Sequence, residues 1–213
     1  MKLRIVTKRT EPNHGTKAPR RGAKLMHFDA AIVVSSPDAK KWEEVKDAAG
    51  TVIDYRNVTI KGYLSTFRHV TESDRDGDYV ERGAFTETIP NFMKNPVLLV
   101  NHQNSVKTLG GRFTTVKEDE KGLYVEALLS NSPSEDMRDV RFKVAEGSLR
   151  TLSMGGVFHY KEDGRGIFRV MLWEGSLTPV PANPDAVFSV RSLTDAEIKK
   201  VQSESEPGET GAE

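Results

Sequence analysis

The aliphatic run Val97-Leu98-Leu99-Val100 stops after four residues, closed by Pro96 in front and Asn101 behind. Such a run is too short for a helix and reads as a strand buried on both faces. The same shortness governs the rest of the chain. No apolar stretch approaches the roughly 20 residues that a membrane helix requires. Apolar positions instead recur at every second residue between clusters rich in Gly, Asn and Asp. A chain patterned this way has to fold as short strands sharing one core.

The strands can be placed. Val58 to Thr66 alternates well enough to be a half-buried strand, and the polar stretch Glu72 to Asp78 reads as a loop. Phe85, Ile89, Phe92 and Met93 predict a short helix. Leu109 to Val116 and Leu123 to Leu129 form a hairpin about Glu118–Gly122, and Leu149 to Tyr160 and Ile167 to Thr178 flank a turn at Lys161–Gly166. A longer helix follows the first hairpin, with Ser132 as its N-cap, Pro133 at the first helical position and Glu135 at the third, a capping box. Met137, Val140 and Val144 then share one face, and Gly147 stops the helix. Many strands with a few helices predict an α+β domain around a β-sheet or barrel.

The 213 residues suit one domain with tails. Residues 1–26 hold eight Lys or Arg against the single acid Glu11, so residues 1–50 are expected to be a basic, weakly ordered arm. Residues 51–192 form the folded domain, and residues 193–213 an acidic, flexible tail. Overall the charges cancel, 31 basic against 31 acidic, which argues against a dedicated nucleic-acid binder. The chain has no cysteine, hence no disulfide framework and no thiolate chemistry. Basic residues interrupt any apolar leader near the start. A soluble, cytoplasmic protein without membrane contact is expected.

Three polar residues stand out against the strand pattern. His102 ends the buried run. Ser153 lies in Leu149-Arg-Thr-Leu-Ser-Met-Gly-Gly156, where alternation puts Thr151, Ser153 and Gly155 on one face. Glu174 interrupts the largely apolar Val170-Met-Leu-Trp-Glu-Gly-Ser-Leu177, where a carboxylate needs a partner. A serine, a histidine and an acid on neighbouring strands can serve as nucleophile, base and orienter. They can equally be a hydrogen-bonded strand serine and a structural histidine. His14, His27, His69 and His159 lie in the basic segment, at its edge, in a polar loop and near a hairpin turn, where solvated roles are expected. No cofactor or metal is expected. Asp74, Asp76 and Asp78 superficially suggest a calcium loop, but Gly77 comes too early and Phe85 stands where the bidentate Glu belongs, so a turn built on Asx side chains is predicted.

Five stretches taken together carry a resemblance. They are Gly62–Thr66, Asp74–Phe85, Pro96–His102, Glu146–Gly155 and Leu172–Ala186, in order over about 125 residues. With them the chain resembles the HK97-type prohead maturation proteases of tailed bacteriophages, a family similar to the herpesvirus assemblins. The resemblance implies a β-barrel wrapped by a few helices and a serine endopeptidase that cleaves scaffold and capsid-protein segments inside the procapsid, in the host cytoplasm. It makes Ser153 the nucleophile, His102 the general base and Glu174 the third member, with His159 and Asp185 as rivals for that last place. A turn at Gly155–Gly156 is a candidate source of oxyanion N–H groups. The partner it implies is the major capsid protein or a scaffold protein as substrate; the chain's own flexible ends are a further expected substrate, and a homo-oligomer is a further expected assembly. The competing readings are an inactive capsid-associated β-barrel that only binds, and a calcium-stabilised structural domain.

Overall fold

A computed structural model describes residues 42–191. The expected basic arm, up to residue 41, and the expected acidic tail lie outside the described residues. The first element is a hairpin of β1 (Glu43–Lys46) and β2 (Val52–Arg56). The boundary expected at residue 50 therefore falls in its turn, and residues 43–50 belong to the folded unit rather than to an arm. Asp47 builds that turn, its carboxylate accepting the Ala49 and Thr51 amides.

The main sheet is mixed. Its path runs β10 (Phe188–Arg191), β3 (Thr59–Thr66), β7 (Gly122–Leu129), β6 (Leu109–Glu118), β5 (Val97–Val100) and β9 (Gly166–Leu177). β8 (Leu152–Tyr160) pairs antiparallel with one edge of β9 along most of its length. The other edge of β9 takes two short parallel partners, β4 (Tyr79–Val80) near its start and β5 near its end. The two ends of the sheet then meet. Thr151 bridges Val187, the Leu152 amide donates to Ala186 O at 2.8 Å, and the Phe188 amide donates to Arg150 O at 3.0 Å. Closure removes the exposed edges that an open sheet would present. The result is a seven-stranded barrel in an α+β fold.

Its core gathers the alternating positions of the strands, among them Ile60, Leu64, Leu98, Phe113, Val125 and Leu152, all nearly or wholly buried. Helix α1 (Ile89–Phe92) is a single turn carrying Phe92 into that core, and a 3-10 turn spans Val106–Thr108. Helix α2 (Glu135–Glu146) buries Met137, Val140 and Val144, about 1.5–3 kcal/mol each if fully removed from water. It ends as predicted at Gly147, whose φ of 84° is left-handed.

The start of α2 departs from the sequence reading. Ser134, not Ser132, is the N-cap, its hydroxyl accepting the Met137 amide at 3.4 Å. The reason is tertiary. Arg141, with no exposed surface, reaches back from the helix to the carbonyls of Ser130 and Ser132 and makes two bonds to Asp54 on β2, at 2.9 and 2.8 Å. Satisfying that guanidinium holds residues 130–132 outside the helix. The edge-to-face rings of Trp42, Tyr55 and Phe142 cover the same junction.

Candidate active site

β9 is the axis of the site. Ser176 on β9 faces Leu99 of β5 on one side and Ser153 of β8 on the other. Two residues earlier, Glu174 faces Gly155. Paired residues share a face and alternate residues repeat it, so Ser153, Gly155, Glu174 and Ser176 all belong to one face. Paired Cα atoms lie about 4.5–5.5 Å apart, so a single strand spacing separates the Ser153 backbone from that of Ser176.

His102 reaches this face through a turn. The Gln103 amide donates to Val100 O at 3.2 Å, and both residues between them are left-handed, Asn101 with φ 54° and His102 with φ 58°. Asn and His tolerate this region better than most side chains, but not without strain. Neighbours hold the turn in place: the Asn101 amide donates to Leu177 O at 2.9 Å and the His102 amide to Ser176 Oγ at 3.1 Å. The turn folds the imidazole back over β9, and His102 Nδ1 lies 2.6 Å from Glu174 Oε1. A carboxylate only accepts, so Nδ1 carries the proton and Nε2 is left as the basic nitrogen. The other oxygen of Glu174, Oε2, accepts the Ser176 hydroxyl at 2.6 Å.

Gly155 explains how the carboxylate gets there. A Cβ at this position would sit 2.0 Å from Glu174 Oε1, so the Glu174 side chain lies directly across the glycine backbone. The sequence reading placed Gly155 and Gly156 in a turn. They lie instead inside β8, at a bulge where its register against β9 shifts.

A cleft opens beside Ser153. Leu64, Met154 and Phe158 line its apolar part, and Asp74, Asp76 and Asp78 its acidic rim. The rim is the predicted Asx turn: Asp74 Oδ1 accepts the amides of Asp76 and Asp78, both at 2.9 Å, and Gly77 has φ 88°. Tyr160 closes one end, donating to Asp78 Oδ2 at 2.9 Å. Burial, then this bond and the nearby Asp charges, push its phenol well above the usual tyrosine range, so it stays neutral.

The other sequence candidates lie elsewhere. Asp185 pairs with Arg68. His159, expected to be solvated, is half-buried against Phe168 with ring centroids 6.3 Å apart, and its Nε2 is enclosed without a hydrogen-bond partner; nothing in the fold explains that orphan. His69 is in the exposed loop, its Nδ1 3.2 Å from Thr71 Oγ1. Sequence reasoning passed over Ser176, although Glu174-Gly-Ser176 already places the two polar residues on one strand face.

A barrel with a serine, a histidine–carboxylate pair and an open cleft on one face has the parts of a serine hydrolase site. The family model for the caudovirus prohead serine protease matches residues 45–201, and the chain belongs to that family. It is 29% identical over 151 residues to the prohead protease of Enterobacteria phage HK97, covering 67% of this chain and 64% of that protein. It is 27% identical over 140 residues to the prohead protease of Escherichia phage T5, covering 62% of each. The chain thus spans somewhat under two thirds of the length of these relatives. Among solved structures it is similar to the capsid assembly protease of bacteriophage T4, with TM-score 0.46, 8% identity and coverage of 66% of this chain and 93% of that one. It is also similar to the KSHV protease bound to a hexapeptide phosphonate inhibitor, with TM-score 0.42, 12% identity and coverage of 74% and 80%.

Proposed function

We propose that the protein is a serine endopeptidase that cleaves scaffold or capsid-protein segments, and its own chain, during procapsid maturation of a tailed bacteriophage. Family membership supports the class of reaction. The observation that carries the residue roles is the 2.6 Å contact of His102 Nδ1 with Glu174, on the strand face that Ser153 shares. In this reading His102 Nε2 takes the Ser153 hydroxyl proton as Oγ attacks the scissile carbonyl, then returns it to the leaving amine. Glu174 holds the imidazole tautomer and stabilises the imidazolium that forms. Backbone N–H groups stabilise the oxyanion. The major capsid protein or a scaffold protein is the substrate, met inside the procapsid in the host cytoplasm. Extra copies of the chain are its other partners, and neither nucleic acid nor a membrane is involved. Among the described residues no helix is long and apolar enough to cross a bilayer.

Co-expression with the capsid and scaffold proteins tests the proposal. The wild-type chain is expected to shorten its substrate on a gel, and to lose residues from one or both of its own ends by intact mass. Ser153→Ala and His102→Ala are expected to leave both full length, and the double variant to be scarcely worse than either, since such residues act as a unit. Processing by Ser153→Ala at the wild-type rate would remove Ser153 from the mechanism. A serine-directed fluorophosphonate should label the wild-type chain and not Ser153→Ala.

A further inference from the structure

Ser176 sits at the centre of the site, yet the chemistry above makes no use of it. Its side chain is wholly buried, between Leu99 and Ser153 on the flanking strands. Its one hydroxyl proton goes to Glu174 Oε2 at 2.6 Å, and its oxygen accepts the His102 amide at 3.1 Å. A hydroxyl committed in this way has neither the exposure nor the free proton to act as a nucleophile.

We infer that Ser176 is a positioning residue of the proposed triad, fixing the carboxylate of Glu174 and the backbone of His102 through one hydroxyl. The inference rests on the protease reading. A glutamate has three rotatable bonds, and one hydrogen bond to an imidazole leaves the carboxylate free to rotate. The second bond, to Ser176, removes that freedom and aims Oε1 at Nδ1. On the histidine side the strain of the left-handed turn needs opposing contacts, and the amide bond to Ser176 is one of them. Gly155 forms the floor of the same slot. The orienting acid and the base are thus set against a common buried point, and neither can drift without breaking a bond to it.

The test uses the full chain carrying Ser153→Ala, so that self-cleavage does not interfere. The exchange-protected Nδ1–H proton of His102 is followed by NMR and identified by its loss in His102→Gln. Adding Ser176→Ala or Ser176→Cys is expected to abolish that signal. Cysteine fills the slot with a slightly larger atom but is a weak donor, so the two variants together separate lost hydrogen bonding from lost volume. In the active chain both substitutions should slow substrate processing roughly 10- to 100-fold. In a Glu174→Ala background, adding Ser176→Ala should cost less than about threefold more, because the carboxylate it serves is gone. Persistence of the signal in Ser176→Ala, its absence from the parent chain, or its recovery in Ser176→Cys would each overturn the inference. If the signal behaves as expected but the wild-type chain processes nothing, the positioning contact stands and the protease reading fails. If the wild-type chain processes and the signal ignores Ser176, the reverse holds.

Discussion

Asp54 and Glu174 are both strand carboxylates, and each holds a nitrogen side chain from far along the sequence, 87 and 72 residues away. Arg141 and Asp54 are sealed: their side chains are 0% and 8% exposed, both carboxylate oxygens face the guanidinium, and two backbone carbonyls take further bonds from it. His102 and Glu174 are 26% and 14% exposed, and only one of the two imidazole nitrogens is bound by the pair. A guanidinium serves as a fixed cation, whereas an imidazole is a side chain that can accept and return a proton. The Arg141–Asp54 pair joins α2 to the β1–β2 hairpin, while the His102–Glu174 pair leaves one imidazole nitrogen outside it. Burial and four hydrogen bonds suit the first pair to holding the fold, and partial exposure with one nitrogen outside the pair suits the second to the role proposed for it.

The contrast is sharpest in Glu174→Gln. An amide cannot stabilise the imidazolium, so turnover should fall by roughly 10³- to 10⁴-fold, less than for Ser153→Ala, while the melting temperature barely moves. Processing kinetics and a thermal melt on the same preparations check both halves. Next in size is Asp54→Ala, which leaves a buried guanidinium without its partner and should cost about 3–5 kcal/mol in urea unfolding. Replacing both residues with apolar ones of similar size should recover most of that loss and retain processing; if it does not, the buried pair does more than hold the fold. Gly155→Ala should lie between the two kinds of region. The new methyl would sit 2.0 Å from Glu174 Oε1, so the carboxylate has to leave its bonds to His102 and Ser176, and stability should fall by about 1–3 kcal/mol. The displaced carboxylate should lower turnover by roughly 100-fold. The smallest effect is Ser134→Ala, which removes the α2 cap and should cost about 1 kcal/mol without changing turnover.

Much of the candidate site was legible because strands carry a simple code. Alternation placed Ser153 and Gly155 on one face, and the abrupt end of Val97–Val100 exposed His102 as a strand-terminal residue. The code was silent on pairing. Only once β5 and β8 are known to flank β9 does Ser176 become the centre of the site, or Gly155 the floor under Glu174. The cap of α2 was misplaced for a similar reason, since a buried arginine from farther along the chain decides where the helix begins. β4 has two residues, too few for a pattern to register, and the four of β10 lack the continuous apolar run that marks β5.

The parallel pairing of β5 with β9 has a consequence for the order of events during folding. The two hairpins, β6–β7 and β8–β9, close over short turns and can form early. The β5–β9 ladder has to bring together segments separated by the β6–β7 hairpin, α2 and β8, and the entropy of that closure is recovered only when the ladder forms. Asn101 docks on Leu177 and His102 on Ser176 only at that point. An unfinished chain therefore has its serine and its carboxylate on a completed hairpin but no imidazole beside them. On the proposed chemistry, a newly made copy stays silent until this parallel strand pair has closed.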